Sequence, residues 1–444
     1  MGALVAILAS GCAGSGPHGP TGQAKAIATS QPAVASPSPA AIAPPLASSS
    51  PSSSASPSAS PSASAAQALA STPWLTGPRQ FPLESPVSAA LEGVTCVGAN
   101  QCWAVGWAAS PVTGYPQAMA EEDTGGGWVA VSTPAPPGSA SSQLSGVDCA
   151  GTGDCWAVGS YWTGSQGTAA TSLPLIEADT GDGWKVVTGP SPAGAVSASL
   201  DAVTCVSVAD CWAVGYSSAT GSPGPGSATL IEQDAGGGWS IVASPVPSPT
   251  GRGGQLAAVT CVNEGDCWAA GDAYAANGVP HTLIEQYTGS VWSVVSSPSP
   301  TASGSGGSQL LGVTCTSQGD CWTVGFVNGA AGATQALVED YGASGWSVAT
   351  GTAPRGQLFG VACEGTGGCW AVGDASAVNG GVLIAQDAGT GWGTVSSTSA
   401  YGGTAPQLND VACPGTGECW AVGGPSPQSG SGSLILEQLA GATS

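Results

Sequence analysis

Positive charge is nearly absent from this chain. Five basic residues (Lys25, Arg79, Lys185, Arg252 and Arg355) stand against 27 acidic ones, for a formal net charge of −22. Phosphate binding needs clustered Lys and Arg, so a nucleic-acid partner is excluded, and a basic membrane-surface helix with it. Histidine is as scarce. His18 and His281 are the two in 444 residues, too few for His-ligated zinc or a Ser-His-Asp triad. Charged residues make up 7% of the chain, while Gly reaches 70, Pro 35, Cys 15 and Trp 16. A prior of ~150 residues per domain gives about three domains; this composition, and the repeats below, argue against that count.

Residues 1–12 begin with an apolar run, Met1 to Ser10, followed by Gly11-Cys12. A run of about ten residues is too short to span ~30 Å of hydrocarbon but suits the core of a signal peptide. Ala9-Ser10-Gly11-Cys12 resembles a bacterial lipobox, in which Cys12 receives a diacylglycerol; an ordinary signal peptide with a chance Cys is the alternative. No Lys or Arg precedes the run, and Leu8 lies one place further from the Cys than the usual lipobox Leu. Residues 13–72 are Ala, Ser, Pro and Gly with one charge, Lys25. Such a segment cannot bury a core and is expected to be a disordered, extended spacer.

The rest, residues 73–444, repeats itself. Leu-x-x-Val-x-Cys-x5-Cys-Trp-x-x-Gly begins at Leu91, Leu144, Leu200, Leu256, Leu310, Leu358 and Leu408. Successive first cysteines are 53, 56, 56, 54, 48 and 50 residues apart, a period that points to propeller blades. Each repeat resolves into four strand signals. The first is LEGVTC or LDAVTC, then a five-residue loop such as VGANQ, then CWAVG, then TLIE or ALVE, then a Gly turn and WSIVAS or WKVVTG. The expected fold is all-β, a seven-bladed propeller with four antiparallel strands per blade. The seventh repeat stops after its third strand, so the segment around Trp74-Leu75 and Phe81 is expected to supply the missing strand and close the ring. A linear array of β-modules is the competing arrangement, with two open ends and an unpaired strand.

Seven repeats with two cysteines each use 14 of the 15, leaving Cys12. Opposed residues of a hairpin lie within disulfide reach. The expected pairs are Cys96–Cys102, Cys149–Cys155, Cys205–Cys211, Cys261–Cys267, Cys315–Cys321, Cys363–Cys369 and Cys413–Cys419. Metal ligation is not expected, for want of histidines. Seven bridges require an oxidising compartment.

The turns before the fourth strand read D-x-G-x-x-W at Asp123, Asp179, Asp234 and Asp387. This resembles the Asp-box, or bacterial neuraminidase repeat, found between the third and fourth strands of propeller blades. The whole repeat is similar to the Cys-Trp-Ala-Val-Gly repeats of secreted actinobacterial propellers. In place of the usual Ser or Thr two residues before the Asp stand Glu121, Glu177, Glu232 and Ala385, and Tyr287 and Tyr341 replace the Asp in two repeats. The resemblance implies structural roles: Asp accepting turn N–H groups, and Trp packing between blades. The Trp after each second cysteine (Trp103, Trp156, Trp212, Trp268, Trp322, Trp370, Trp420) reads the same way.

Sialidases are the enzymes this resemblance brings forward, but their site needs three arginines around a carboxylate. Arg79, Arg252 and Arg355 follow no repeated strand pattern, so that activity is not expected. Asp154, Asp210, Asp266, Asp320 and Glu418 read as turn residues; Asp272 and Asp374, just after the Gly of the second strand, are the less repetitive acids. Candidate ligand-binding residues are the aromatics of the variable loops, Trp107, Tyr115, Tyr161, Trp162, Tyr216, Tyr274 and Phe326, which suit stacking on sugars or anchoring a protein; the alternative is that they cover the core. The expected function is a secreted, lipid-anchored, non-enzymatic binding or scaffold module. It would be a monomer at the outer face of a bacterial membrane, binding a glycan or protein without cofactor or metal. The alternative is a carbohydrate-active hydrolase or lyase using carboxylates.

Overall fold

The computed structural model describes residues 88–438, apart from loop stretches such as 165–170, 246–251, 302–305, 376–380, 397–405 and 426–433 and a few shorter breaks, together with the backbone of Trp74–Leu75. These residues belong to one compact unit, Ala65–Ser444. The expected leader, Cys12, the spacer and Phe81 lie outside the described residues.

Among the described residues every regular element is a strand. The first repeat shows the plan: Ala89–Gly98, Gln101–Ala109, Pro116–Asp123 and Trp128–Val131 pair in sequence as an antiparallel meander. The other repeats follow it. Five four-stranded sheets are formed, and the second and third repeats join through one parallel pairing, Ser197 with Ser172, into an eight-stranded sheet. The first strands of successive repeats pack side by side, and Pro406–Gly415 of the seventh packs on Ala89–Gly98 of the first. Three side-chain hydrogen bonds fix that junction: Val94 N–H to Asp410 Oδ2 (3.0 Å), and Asn409 Nδ2 to the Leu91 carbonyl (2.9 Å) and to Glu92 Oε2 (2.8 Å). Meanders of four strands, innermost strands facing one another, make a β-propeller.

The repeated residues explain the blade. Leu91 and Val94 are both buried, although three residues apart they would fall on opposite faces of a regular strand. A β-bulge between Leu91 and Gly93 restores the phase, and a shift at the same place recurs in every repeat. The bulge brings the inner strand onto the Gly of Cys-Trp-x-x-Gly. A Cβ on Gly215 would lie 2.1 Å from the Ser199 carbonyl oxygen, and one on Gly106 2.0 Å from that of Ala90. No side chain fits there.

The seven expected cystines are all present, each with Cα atoms 4.0–4.2 Å apart. The five-residue loop expected between them is mostly strand in the first repeat, although in the sixth the ladder ends at Cys363 and Cys369. Beyond the opposed Cys96 and Cys102 the ladder continues to Gly98 and Gln101, with a second bulge, and leaves a two-residue turn.

Tryptophans fill the seams. The ring opening the fourth strand of one repeat meets, edge to face, the ring following the second cysteine of the preceding repeat: Trp184 on Trp103, Trp239 on Trp156, Trp292 on Trp212, Trp346 on Trp268 and Trp392 on Trp322, at 5.2–5.7 Å. Trp128 meets Trp420 of the seventh repeat in the same way, at 5.3 Å. Where Tyr replaces the turn Asp, its ring joins the seam: Tyr287 lies 4.7 Å from Trp212, and Tyr341 4.7 Å from Trp268. The third strand of the seventh repeat, Leu434–Gln438, pairs with Trp74–Leu75, Trp74 opposite Gln438. Trp239 stands opposite Asp234 in the same register, so Trp74 takes the position of the seam tryptophan.

Candidate functional site

The inner hairpin of each repeat has a constant end and a variable end. The constant end carries the cystine and the turns. There Asp123 Oδ1 accepts the N–H groups of Gly125 (2.9 Å) and Gly127 (3.0 Å). Asp179, Asp234 and Asp387 hold their own glycine pairs at 2.8–3.1 Å. These carboxylates are consumed by the backbone, and the positive φ of Gly125 and Gly127 (86° and 100°) is what lets the turn close around them.

The variable end is built from three positions. One is the residue before the repeated Leu. A second is the residue after the repeated Gly, which pairs with it across the hairpin: Ser199 with Tyr216, Gln255 with Asp272, Gln309 with Phe326, Gln357 with Asp374. The third is the bulged residue, which lines a cavity of about 400 Å³ bordered by the inner strands of all seven repeats. Going round that cavity, Asn409, Glu92, Ser145 and Asp201 form a polar arc, and Ala257, Leu311 and Phe359 an apolar one. The sequence reading missed these bulged residues. The signal was present, since Leu-x-x-Val cannot be a regular strand with both ends buried, and the first x is what varies.

Hydrogen bonds knit this layer. Trp107 Nε1 donates to Glu92 Oε1 (3.0 Å), and Asn409 Nδ2 donates to Glu92 Oε2 (2.8 Å) while Gln407 Nε2 donates to Asn409 Oδ1 (2.8 Å). Ser199 Oγ donates to Asp201 Oδ1 (2.8 Å). Asp272, 1% exposed, takes Gln255 Nε2 (2.8 Å) and Gln309 Nε2 (3.0 Å) on Oδ1, and the Tyr274 hydroxyl also acts on its carboxyl. Burial raises the carboxyl pKa of Glu92 and Asp272 and pushes Asp201 up to about 6, and burial beside Asp272 raises the Tyr274 hydroxyl.

Of the expected ligand-binding aromatics, Trp107, Tyr216 and Tyr274 come to this layer. Tyr216 lies within 3.4 Å of Ser197 Oγ. Tyr161 packs on the seam between the first two repeats. Trp162 is half-buried opposite Ser141, Tyr115 buries its hydroxyl without a partner, and Phe326 is buried at 8% exposure in the core. Arg252 and Arg355 are exposed on the connections into this end, and Arg79 lies outside the described residues. One convergence of metal-ligand atoms occurs among the described residues, Glu364 with Cys413 and Cys419. Those sulfurs are bonded to each other, so it offers no thiolates.

No family model matches this chain, and neither does any curated protein. Among solved structures it is similar to a protein of unknown function from Dyadobacter fermentans DSM 18053, with TM-score 0.48 and 11% identity over 80% of this chain and 95% of that one. It is also similar to Trypanosoma rangeli sialidase in complex with 2,3-difluorosialic acid, with TM-score 0.46 and 12% identity over 80% of this chain and 54% of that one. A third is Hadza microbial sialidase Hz136, with TM-score 0.46 and 11% identity over 73% of both chains. The chain thus spans about half of the trypanosomal enzyme, 54% of its length.

Proposed function

We propose that the repeats are the blades of one closed, seven-bladed propeller, exported and held at the outer face of a bacterial membrane by lipid on Cys12. In this reading the protein is a monomeric, non-enzymatic module that presents the variable end of its inner hairpins to a glycan or protein. Closure is supported by the Val94–Asp410 hydrogen bond, the Trp128–Trp420 contact and the pairing of Trp74–Leu75 with the last sheet. Export is supported by seven cystines, which persist in oxidising compartments. The observation that carries the binding role is that variation concentrates in one connected layer. Residues repeated in every blade are used up in cystines, turns and seams, whereas the bulged residues, Glu92, Ser145, Asp201, Ala257, Leu311, Phe359 and Asn409, differ from blade to blade around a single cavity.

The second reading is a carbohydrate-active hydrolase or lyase. It is favoured by Asp201, whose carboxyl burial pushes up to about 6 and which lines the same cavity as Glu92. Incubating the full chain with the glycans it retains separates the two. Retention without new reducing ends or unsaturated products supports a binding module; product formation abolished by Asp201→Asn establishes the enzyme. Cys12→Ser is expected to move the protein from the membrane fraction to the medium. A mature N-terminus elsewhere, or wild-type protein already in the medium, overturns the anchor.

A further inference from the structure

Resting on the binding role proposed above, we infer that the variable layer selects uncharged, polyhydroxylated sugar rings and rejects acidic ones. The chemistry of the lining carries this. Its polar arc consists of the carboxyl and carboxamide groups of Glu92, Asn409 and Asp201, with the hydroxyl of Ser145. Carboxylates and amides, taking and giving hydrogen bonds in a plane, suit hydroxyl groups. Opposite them, Leu311 and Phe359 offer an apolar wall, and a pyranose has that same division, hydroxyls at its edge and C–H groups on its face. A volume of about 400 Å³ lies within the range of small-molecule sites.

Anions fare differently. An acidic sugar entering this cavity meets Glu92 and Asp201 with no cationic side chain in the lining. Arg252 and Arg355 stand exposed on the connections, and the one ion pair among the described residues, Lys185 with Asp182, lies elsewhere. A carboxylate or sulfate held here would leave its charge unpaired against like charges.

The probe is an array carrying neutral glycans together with their sialylated, sulfated and uronic-acid counterparts, exposed to the full chain at neutral pH. Retention is expected on neutral members alone. Asp201→Asn and Glu92→Gln, each confirmed to melt as the parent does, are expected to weaken the retained glycan about tenfold or more. If Glu92→Gln, whose carboxyl holds Trp107 and Asn409, fails to fold, Asp201→Asn, at a carboxyl that takes the Ser199 hydroxyl, carries the test. Retention of acidic glycans overturns the selectivity while leaving glycan binding intact. Neutral retention unchanged by both substitutions overturns the location. No retention at all removes the glycan-binding role itself, and this inference with it.

Discussion

Glu177 and Glu232 are fully buried, and neither oxygen of either carboxyl has a hydrogen-bond partner. Glu121, Glu285 and Glu339 occupy the same place in their repeats, two residues before the turn Asp or its Tyr replacement. Seryl hydroxyls from the preceding repeat reach two of them, Ser244 to Glu285 (3.1 Å) and Ser297 to Glu339 (2.9 Å). Across the ladder each glutamate faces Ala104, Ala157, Ala213, Ala269 or Thr323 on one side. On the other, Val186, Ile241, Val294 and Val348 stand over four of them, partly exposed. No cation acts on any of the five, and Asp340 beside Glu339 is the one charged neighbour that does. Burial therefore pushes Glu177, Glu232 and Glu285 up to about 8 and Glu121 and Glu339 up to about 7. The folded pKa lies above the unfolded one, so the stabilisation is complete below about pH 4.5 and is lost progressively as the pH rises from there to the folded values of about 7 to 8. Each such group costs ~1.4 kcal/mol per pH unit in that interval. The melting temperature is expected to fall from pH 5 to pH 9, and Glu232→Gln to flatten part of that fall and to melt above the parent at the alkaline end. An unchanged profile in the variant contradicts this. From the sequence Glu121, Glu177 and Glu232 stand out as departures from the Asp-box pattern, Glu285 and Glu339 do not, and the burial of none of the five is visible. A strand that reads Leu-Ile-Glu looks like ordinary alternation with one face in water, and only the next sheet, packed on that face, removes the water.

At the level of the element, the inner hairpin was the most legible part of the chain. Its cystine spacing, its invariant Gly and its Trp all have their place in the structure. What was not legible was the bulge, because alternation was applied as though the period of two held throughout, and the apparent loop between the cysteines, which in the first repeat is ladder. Each cystine closes a sequence separation of six residues. The chain-entropy model assigns a loop of that size ~2 kcal/mol, so a cystine here fixes hairpin register more than it holds the molecule together. Replacing Cys205 and Cys211 together by Ala is expected to cost about that much in urea denaturation and to leave the neighbouring seams intact, with Trp239 still packed on Trp156. A loss as large as that of a seam tryptophan would mean the bridge does more than pin one hairpin.

For the whole molecule, the seventh repeat's missing strand announced the pairing of Trp74–Leu75 with Leu434–Gln438, since a sheet ending at its third strand leaves an open edge. Two comparisons test closure. Trp128→Ala removes a ring at the junction of first and last repeats, and Trp292→Ala removes its counterpart between the third and fourth. In a closed propeller the two cost alike, ~3–5 kcal/mol, whereas a markedly cheaper Trp128→Ala would speak for an open array. Removing residues 1–71 is expected to leave the melting temperature unchanged, and removing residues 1–84 to lower it and promote oligomers. Equal melting of the two truncations would count against closure.

The cystines have one more consequence, concerning how the chain is joined rather than how it packs. None of the seven reaches from one repeat to the next, so at the scale of repeats the covalent graph is an open thread. A single proteolytic nick at exposed Arg252 would leave two fragments with no bond between them, even in an oxidising medium. They should migrate as one particle on a native gel and as two bands on a denaturing gel run without reductant. The molecule is stapled throughout, yet nothing but contact keeps its halves together.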